Sequence, residues 1–287
     1  MGKIKKIIGT AALIGVGMGI ERGIEWLKWY KDYCKLTPYK VDRLSNTDIE
    51  KPEDIRLIAH RGFRAVAPEN TLPAYEEAGK AGFWGAECDI YRTIDGVWVL
   101  HHDPVTYRMM DKSGYIELMT YEQLLKYNYS TGHNIDEYPE LKICKLEDFF
   151  AVCEKYGMHA VVEIKYNHTI RHFHELVEMA DKYNIGVTYI AFNFEDCVKM
   201  RSLCDNDLFY LVYDIKDKQI AQALSVENCG ISYDGNDERN LENDCERIRK
   251  CHEAGLTTAT WAVDDLDKIK KIYNAGTKFI TTNSILY

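Results

Sequence analysis

From Arg56 onward, short apolar runs alternate with stretches whose apolar positions recur every three or four residues. The short runs, rich in β-branched and aromatic residues, lie at 57–60, 84–90, 97–101, 159–165, 188–192, 208–213, 229–233, 257–262 and 278–282. Helical patterning covers 71–81, 145–156, 170–183, 194–204, 216–224, 241–254 and 264–274. Such alternation predicts a parallel sheet with helices outside it, in the α/β class. The runs exceed by one the strands of an eight-stranded barrel, and loop length identifies the extra one. Only Tyr91 to Gly96 separates the second run from the third, and Ile94-Asp95-Gly96 reads as a turn. Parallel neighbours need a crossover of about a dozen residues, so 84–90 and 97–101 are expected to form a small antiparallel hairpin after strand 2. Eight parallel strands then remain over about 230 residues, the usual size of a (β/α)8 TIM barrel. The chain stops just after the eighth, so an ordinary closing helix is expected to be missing or replaced, for instance by the N-terminal extension. A doubly wound sheet is the lesser fit, because no Gly-x-Gly-x-x-Gly follows a strand.

The N-terminus follows another pattern. Lys3, Lys5 and Lys6 precede an uncharged stretch, Ile7 to Ile20, closed by Glu21-Arg22. At about 1.5 Å per residue this run would span roughly 21 Å, short of the ~30 Å hydrocarbon core. Residues 1–22 are expected to be a hydrophobic helix anchoring the protein to a membrane, with a cleaved signal or a soluble, cytoplasmic tail as alternatives. Basic residues at both ends leave the side of the membrane undecided. Residues 23–54 read as an extension and linker, with Trp26, Trp29 and Tyr30 suited to a membrane interface, and 55–287 as the barrel domain.

Composition narrows the chemistry. The formal net charge of −9, with no Lys/Arg-rich run in the body, argues against nucleic acid as a partner. The chain has nine cysteines, an odd number, and no Cys-x-x-Cys pair; buried free thiols are expected rather than a disulfide framework or zinc site.

Active sites of barrels lie at the carboxyl ends of the strands. Those ends carry His60-Arg61, Glu87 with Asp89, and Glu163 with Lys165. Residues two apart share a strand face, so Glu87 and Asp89 pair up while Cys88 packs on the other side. Three converging carboxylates need a cation, and a hard divalent metal ion, Mg2+ or Ca2+, suits oxygen ligands. His60 and His102 titrate near neutrality, as acid–base chemistry requires. His101 alternates away and reads as structural. Arg61 and Lys165 can meet a phosphate. Gly62 is expected to let the backbone turn close to the ligand, Asn70 or Thr71 to cap the following helix, and Glu69 to fix the first loop.

The motifs His60-Arg61-Gly62, Pro68-Glu69-Asn70-Thr71, Glu87-x-Asp89, Asp95-Gly96, His102-Asp103-Pro104, Glu163-x-Lys165 and Trp261 occur in the order seen in glycerophosphodiester phosphodiesterases. The chain resembles that family over roughly residues 56–283. The resemblance implies a metal held by Glu87, Asp89 and Glu163, with His60 and His102 as the acid–base pair. It also implies Arg61 and Lys165 on the phosphate and Trp261 at the glycerol end. The implied reaction is hydrolysis of glycerophosphodiesters to sn-glycerol 3-phosphate and an alcohol. The implied metal role is to bridge a phosphate oxygen and a glycerol hydroxyl, with a cyclic phosphate or direct water attack to follow. A lysophospholipase D-like action on membrane lysolipids and an inactive phosphate-binding barrel are the alternatives. Two departures stand out. Lys142-Ile-Cys-Lys-Leu-Glu147 lacks the Pro often found before its helix, and Asp264 stands where relatives often carry an amide, which is expected to bear on leaving-group choice.

Overall fold

The structure, a computed structural model, describes residues 52–165, 168–235 and 241–285. The segments read above as a membrane anchor and linker lie almost wholly outside the described residues. Among those described, no helix is long and apolar enough to cross a membrane.

Nine strands form one sheet: β1 Arg56–Ala59, β2 Gly85–Arg92, β3 Trp98–Leu100, β4 His159–Ile164, β5 Val187–Ala191, β6 Asp207–Val212, β7 Cys229–Asp234, β8 Thr258–Trp261 and β9 Phe279–Thr282. Eight of them are parallel neighbours in a closed ring, because β1 pairs with β2 on one side and β9 on the other. β3 lies outside the ring, antiparallel to the end of β2, with Ile90 opposite Leu100 and Arg92 opposite Trp98. Between the strands run α1 Leu72–Lys80, α2 Tyr121–Leu124, α3 Leu146–Tyr156, α4 Ile170–Ala180, α5 Phe194–Arg201, α6 Asp217–Leu224, α7 Leu241–Glu253 and α8 Leu266–Ala275. The patterned stretches 170–183 and 194–204 leave the α-helix early, at Ala180 and Arg201. Their last residues wind as tighter turns, Tyr183 N–H donating to Ala180 O and Leu203 N–H to Met200 O.

Alternation along each strand sorts the two faces. Ala86, Cys88 and Ile90 of β2, and Ala160, Val162 and Ile164 of β4, enter the core between sheet and helices. Ile58, Val161, Ile190, Phe209, Leu211 and Ala259 point inside the barrel. The stretch 101–144 showed no periodicity, yet it is ordered around its own small core of Tyr91, Val99, Met109, Met110, Ile116, Leu124, Tyr129 and Ile143. It carries α2, started by a Thr120–Gln123 capping box, and holds the residues after β3 against the barrel mouth.

Gly62 is tied to the fold by a close contact. At φ +78° it sits in the left-handed region, and a Cβ there would lie 2.7 Å from the Ala74 side chain and 2.8 Å from its carbonyl carbon. This close approach seats the first loop on helix α1.

Candidate active site

The parallel register explains why the three carboxylates meet. Asp89 of β2 lies directly opposite Glu163 of β4. Glu87 precedes Asp89 by two on the same face. One oxygen from each lies within 4.8 Å of the others. Lys165 reaches back over them, its Nζ 2.6 Å from Asp89 Oδ1 and also paired with Glu163. Arg61 closes the other side: its N–H donates to Glu87 Oε2 at 2.8 Å and its guanidinium lies 3.3 Å from Asp89.

Charge is unequal across the cluster. Burial, then the neighbouring Asp89 and Glu163, push the Glu87 carboxyl well above its ordinary range. Burial pushes Glu163 up to about 7 against the pull of Lys165. Burial opposes ionisation of Asp89 too, but Lys165, His102 and Arg61 hold it well below the usual range. Glu87 Oε1 is buried and has no hydrogen-bond partner among the described residues. An unpaired buried carboxyl oxygen within a tight oxygen-only trio fits a hard divalent cation.

The loop from Arg61 to Asn70 is built around Glu69. Its carboxylate takes Arg61 at 2.9 Å, Arg64 at 2.8 Å and a close contact from Arg108. Burial works against this charge, but Arg108, Arg64 and Arg61 hold it well below the ordinary carboxylate range. Arg61 and Asn70 both take left-handed backbone, at φ 56° and 54°. Two such non-glycine residues bracket the loop, a placement of strain common at functional sites. Asn70 is a site-supporting residue, not a helix cap. Its Nδ2 donates to Asp89 Oδ2 at 2.8 Å, and its Oδ1 accepts from Asp89 N–H and the Tyr75 hydroxyl. Thr71 occupies the N-cap of α1 but makes no cap hydrogen bond; its hydroxyl donates to Pro68 O.

The two imidazoles have different partners. His102 Nδ1 lies 2.7 Å from Asp103 Oδ1, and Arg108 Nε donates to Asp103 Oδ2 at 2.7 Å. Burial and the adjacent Arg61 lower the His102 pKa to about 4. His60 Nδ1 lies 2.7 Å from Asn283 Oδ1. Burial, then Arg61 and Arg64, lower its pKa well below the ordinary value. His101 is buried beneath, its ring facing the Asp103 backbone.

His60, Arg61, Glu87, His102, Glu163, Lys165 and Trp261 all line one cavity of about 600 Å3 at the carboxyl end of the barrel. Asp89 lies beneath Lys165. The cavity wall is divided: most of its charged side chains come from β1 to β4 and the loops beside them, while Ile190, Phe192, Leu211, Tyr213 and Trp261, with Asp234 at the end of β7, form the side from β5 to β8. Phe192, Tyr213 and Trp261 contact one another, with ring centroids 5.3 to 5.9 Å apart. Asp264 does not line the cavity; its carboxylate is taken up by Thr282, Asn283 and Ser284.

Arg64, Arg108, Asn70, Asp103 and Asn283 carry the support of this site and were not singled out as site residues in the sequence. The only signal was adjacency, of Arg64 and Asn70 to the first loop and of Asp103 to His102. Arg108 and Asn283 lie in stretches with no motif of their own.

Comparison with known proteins gives a consistent result. A family model described as the glycerophosphoryl diester phosphodiesterase family matches residues 60–286. A human protein named glycerophosphodiester phosphodiesterase 1 is 37% identical over 134 residues, covering 46% of this chain and 39% of its own length. A glycerophosphodiester phosphodiesterase of Bacillus subtilis is 26% identical over 266 residues, covering 85% of this chain and 88% of its own. The matched stretch spans only about a third to a half of the mammalian relatives. Among solved structures, an Oleispira antarctica phosphodiesterase in complex with the product sn-glycerol-3-phosphate superposes with a TM-score of 0.72. It does so at 23% identity, over 79% of this chain and 92% of that one.

Proposed function

The chain belongs to the glycerophosphoryl diester phosphodiesterase family, and from that premise we propose that it hydrolyses glycerophosphodiesters to sn-glycerol 3-phosphate and an alcohol. The observation that carries the reading is the conjunction at the barrel mouth. Two imidazoles with fixed partners face one cavity with two bases and three converging carboxylates.

Glu87, Asp89 and Glu163 would hold a divalent cation, Mg2+ or Ca2+. Bound there, it would supply Lewis-acid charge for the phosphate oxygens. The protein's own groups do the rest. Arg61 and Lys165, now tied to carboxylates, turn part of their charge to the diester once it enters. His60 accepts the proton of the attacking hydroxyl, whether of the glycerol or of water, as the new P–O bond forms. His102 gives a proton to the alcohol oxygen as the old P–O bond breaks. Burial keeps His102 neutral in the free site, and an anionic diester beside it favours its protonated form. Such acid–base help contributes typically ~10²–10⁴-fold. Trp261 lines the cavity and would meet the glycerol end of the diester.

The test is hydrolysis of glycerophosphocholine with Mg2+, with Ca2+ and with chelator. His60→Ala should abolish turnover with the fold intact; normal activity in that variant would sink the assignment. A second reading is favoured by the apolar half of the cavity. Ile190, Phe192, Leu211 and Tyr213 can meet an alkyl chain, so lysolipids belong in the same panel. Residues 7–20 as a membrane anchor would bring the barrel mouth toward lipid; membrane fractionation of the full chain with and without residues 1–22 tests this.

A further inference from the structure

His60 is supported from the far end of the chain, and the support has a direction. Asn283 Oδ1 lies 2.7 Å from His60 Nδ1, and Asn283 Nδ2 donates to Asp264 Oδ2 at 2.6 Å. Which end of an amide is oxygen is normally a matter of assignment. Here Asp264 settles it. Its other oxygen accepts from the Asn283 and Ser284 N–H groups at 2.8 and 3.2 Å and from the Thr282 and Ser284 hydroxyls at 2.6 and 3.2 Å. A carboxylate only accepts, so the amide must turn its NH2 toward Asp264; the flipped amide would set two acceptors 2.6 Å apart. The amide oxygen therefore faces His60, and Nδ1 must carry the hydrogen. Nε2 is left with its lone pair and has no protein partner among the described residues.

We propose that Asp264 and Asn283 are positioning residues that hold His60 as its Nδ1–H tautomer and present Nε2 to the cavity as the proton acceptor. The proposal rests on the phosphodiesterase reading for its consequence in catalysis, but the tautomer itself does not.

The same logic predicts what a one-atom change does. In Asp264→Asn, the new amide keeps its oxygen for the Asn283 and Ser284 backbone and offers NH2 to Asn283. Asn283 then turns its own oxygen to residue 264 and its NH2 to His60. Nδ1 must now accept, the hydrogen moves to Nε2, and the acceptor in the cavity is gone. The exchange D264N/N283D restores every bond: the amide at 264 donates, and the carboxylate at 283 accepts from His60 Nδ1.

The experiment is long-range 1H–15N correlation of the full chain labelled at histidine, with His60→Gln for assignment, alongside steady-state kinetics on glycerophosphocholine. Wild type is expected to show the Nδ1–H tautomer at His60. D264N is expected to show Nε2–H and to lose roughly 10²–10⁴-fold in kcat with KM little changed. The exchange variant is expected to recover Nδ1–H and most of kcat. An Nε2–H tautomer in wild type, an unchanged tautomer in D264N, or a folded exchange variant without recovery would each overturn the proposal. If the exchange variant does not fold, the D264N tautomer decides alone. Failure of wild type to turn over any glycerophosphodiester would instead overturn the functional reading and leave the tautomer result standing.

Discussion

Replacing Arg108 by Met tests how the buried ion network is partitioned. The Arg108 side chain is fully buried, with Nε on Asp103 Oδ2 at 2.7 Å and Nη2 on Glu69. Met fills much of the same space, so the cavity cost is small. Loss of the charge leaves the two carboxylates in different positions. Glu69 keeps Arg61 at 2.9 Å and Arg64 at 2.8 Å. Asp103 keeps His102 on Oδ1 but loses its guanidinium on Oδ2. Breaking one side of a buried pair typically costs about 3–5 kcal/mol. The partners that remain on Glu69 place the expected loss near the lower end, about 3 kcal/mol. Domains of this kind hold roughly 5–15 kcal/mol, so the variant should still fold. The assay is equilibrium urea unfolding followed by tryptophan fluorescence at pH 7.5. Because Asp103 orients His102, kcat should also fall by at least about tenfold. A loss under about 1 kcal/mol would mean that Arg108 is dispensable to the network, and the argument from buried pairing would fail.

Metal binding near pH 7 should release protons, because Glu163, pushed up to about 7, and Glu87, held above its ordinary range, must both ionise to act as ligands. Calorimetric titration of Mg2+ or Ca2+ in two buffers of different ionisation enthalpy would show it, and identical heats would refute it. His168, packed at a tilt against Trp98 with ring centroids 4.8 Å apart, is lowered from 6.5 to about 4, chiefly by burial. Above pH 6.5 neither folded nor unfolded chain protonates it. As pH falls from 6.5 toward 4 the unfolded chain takes a proton that the folded one refuses. Stability should fall by up to about 3 kcal/mol over that window, and His168→Phe should flatten that part of the stability–pH curve.

The carboxylate trio was legible because strand periodicity is strict. Glu87 and Asp89 had to share a face, and a parallel β2–β4 pairing brings Glu163 beside them. The placement of β3 followed from a short connection. What escaped notice depends on backbone conformation or on distant closure. Asn70 looks like a helix cap until its left-handed φ turns the side chain back to Asp89. The packing of Gly62 against Ala74 carried no signal in the sequence. Arg108 lies in a stretch whose order comes from its own small core, not from periodicity. Asp264 was read as bearing on leaving-group choice because it stands where relatives often carry an amide, just after Trp261-Ala-Val263. Its actual partner is nineteen positions on, in the segment after β9.

Ring closure gives the chain a temporal property. His60 sits just after the first strand, and its support at Asn283 comes from just after the last, 223 positions later. During synthesis the carboxylate side of the mouth is made early, yet His60, the proposed proton acceptor, gains its Asn283 partner only when β9 docks against β1. A nascent or truncated chain lacking that final strand would carry the carboxylates proposed to hold the metal without the Asn283 partner of His60. On the proposed reading, turnover would therefore report closure of the ring.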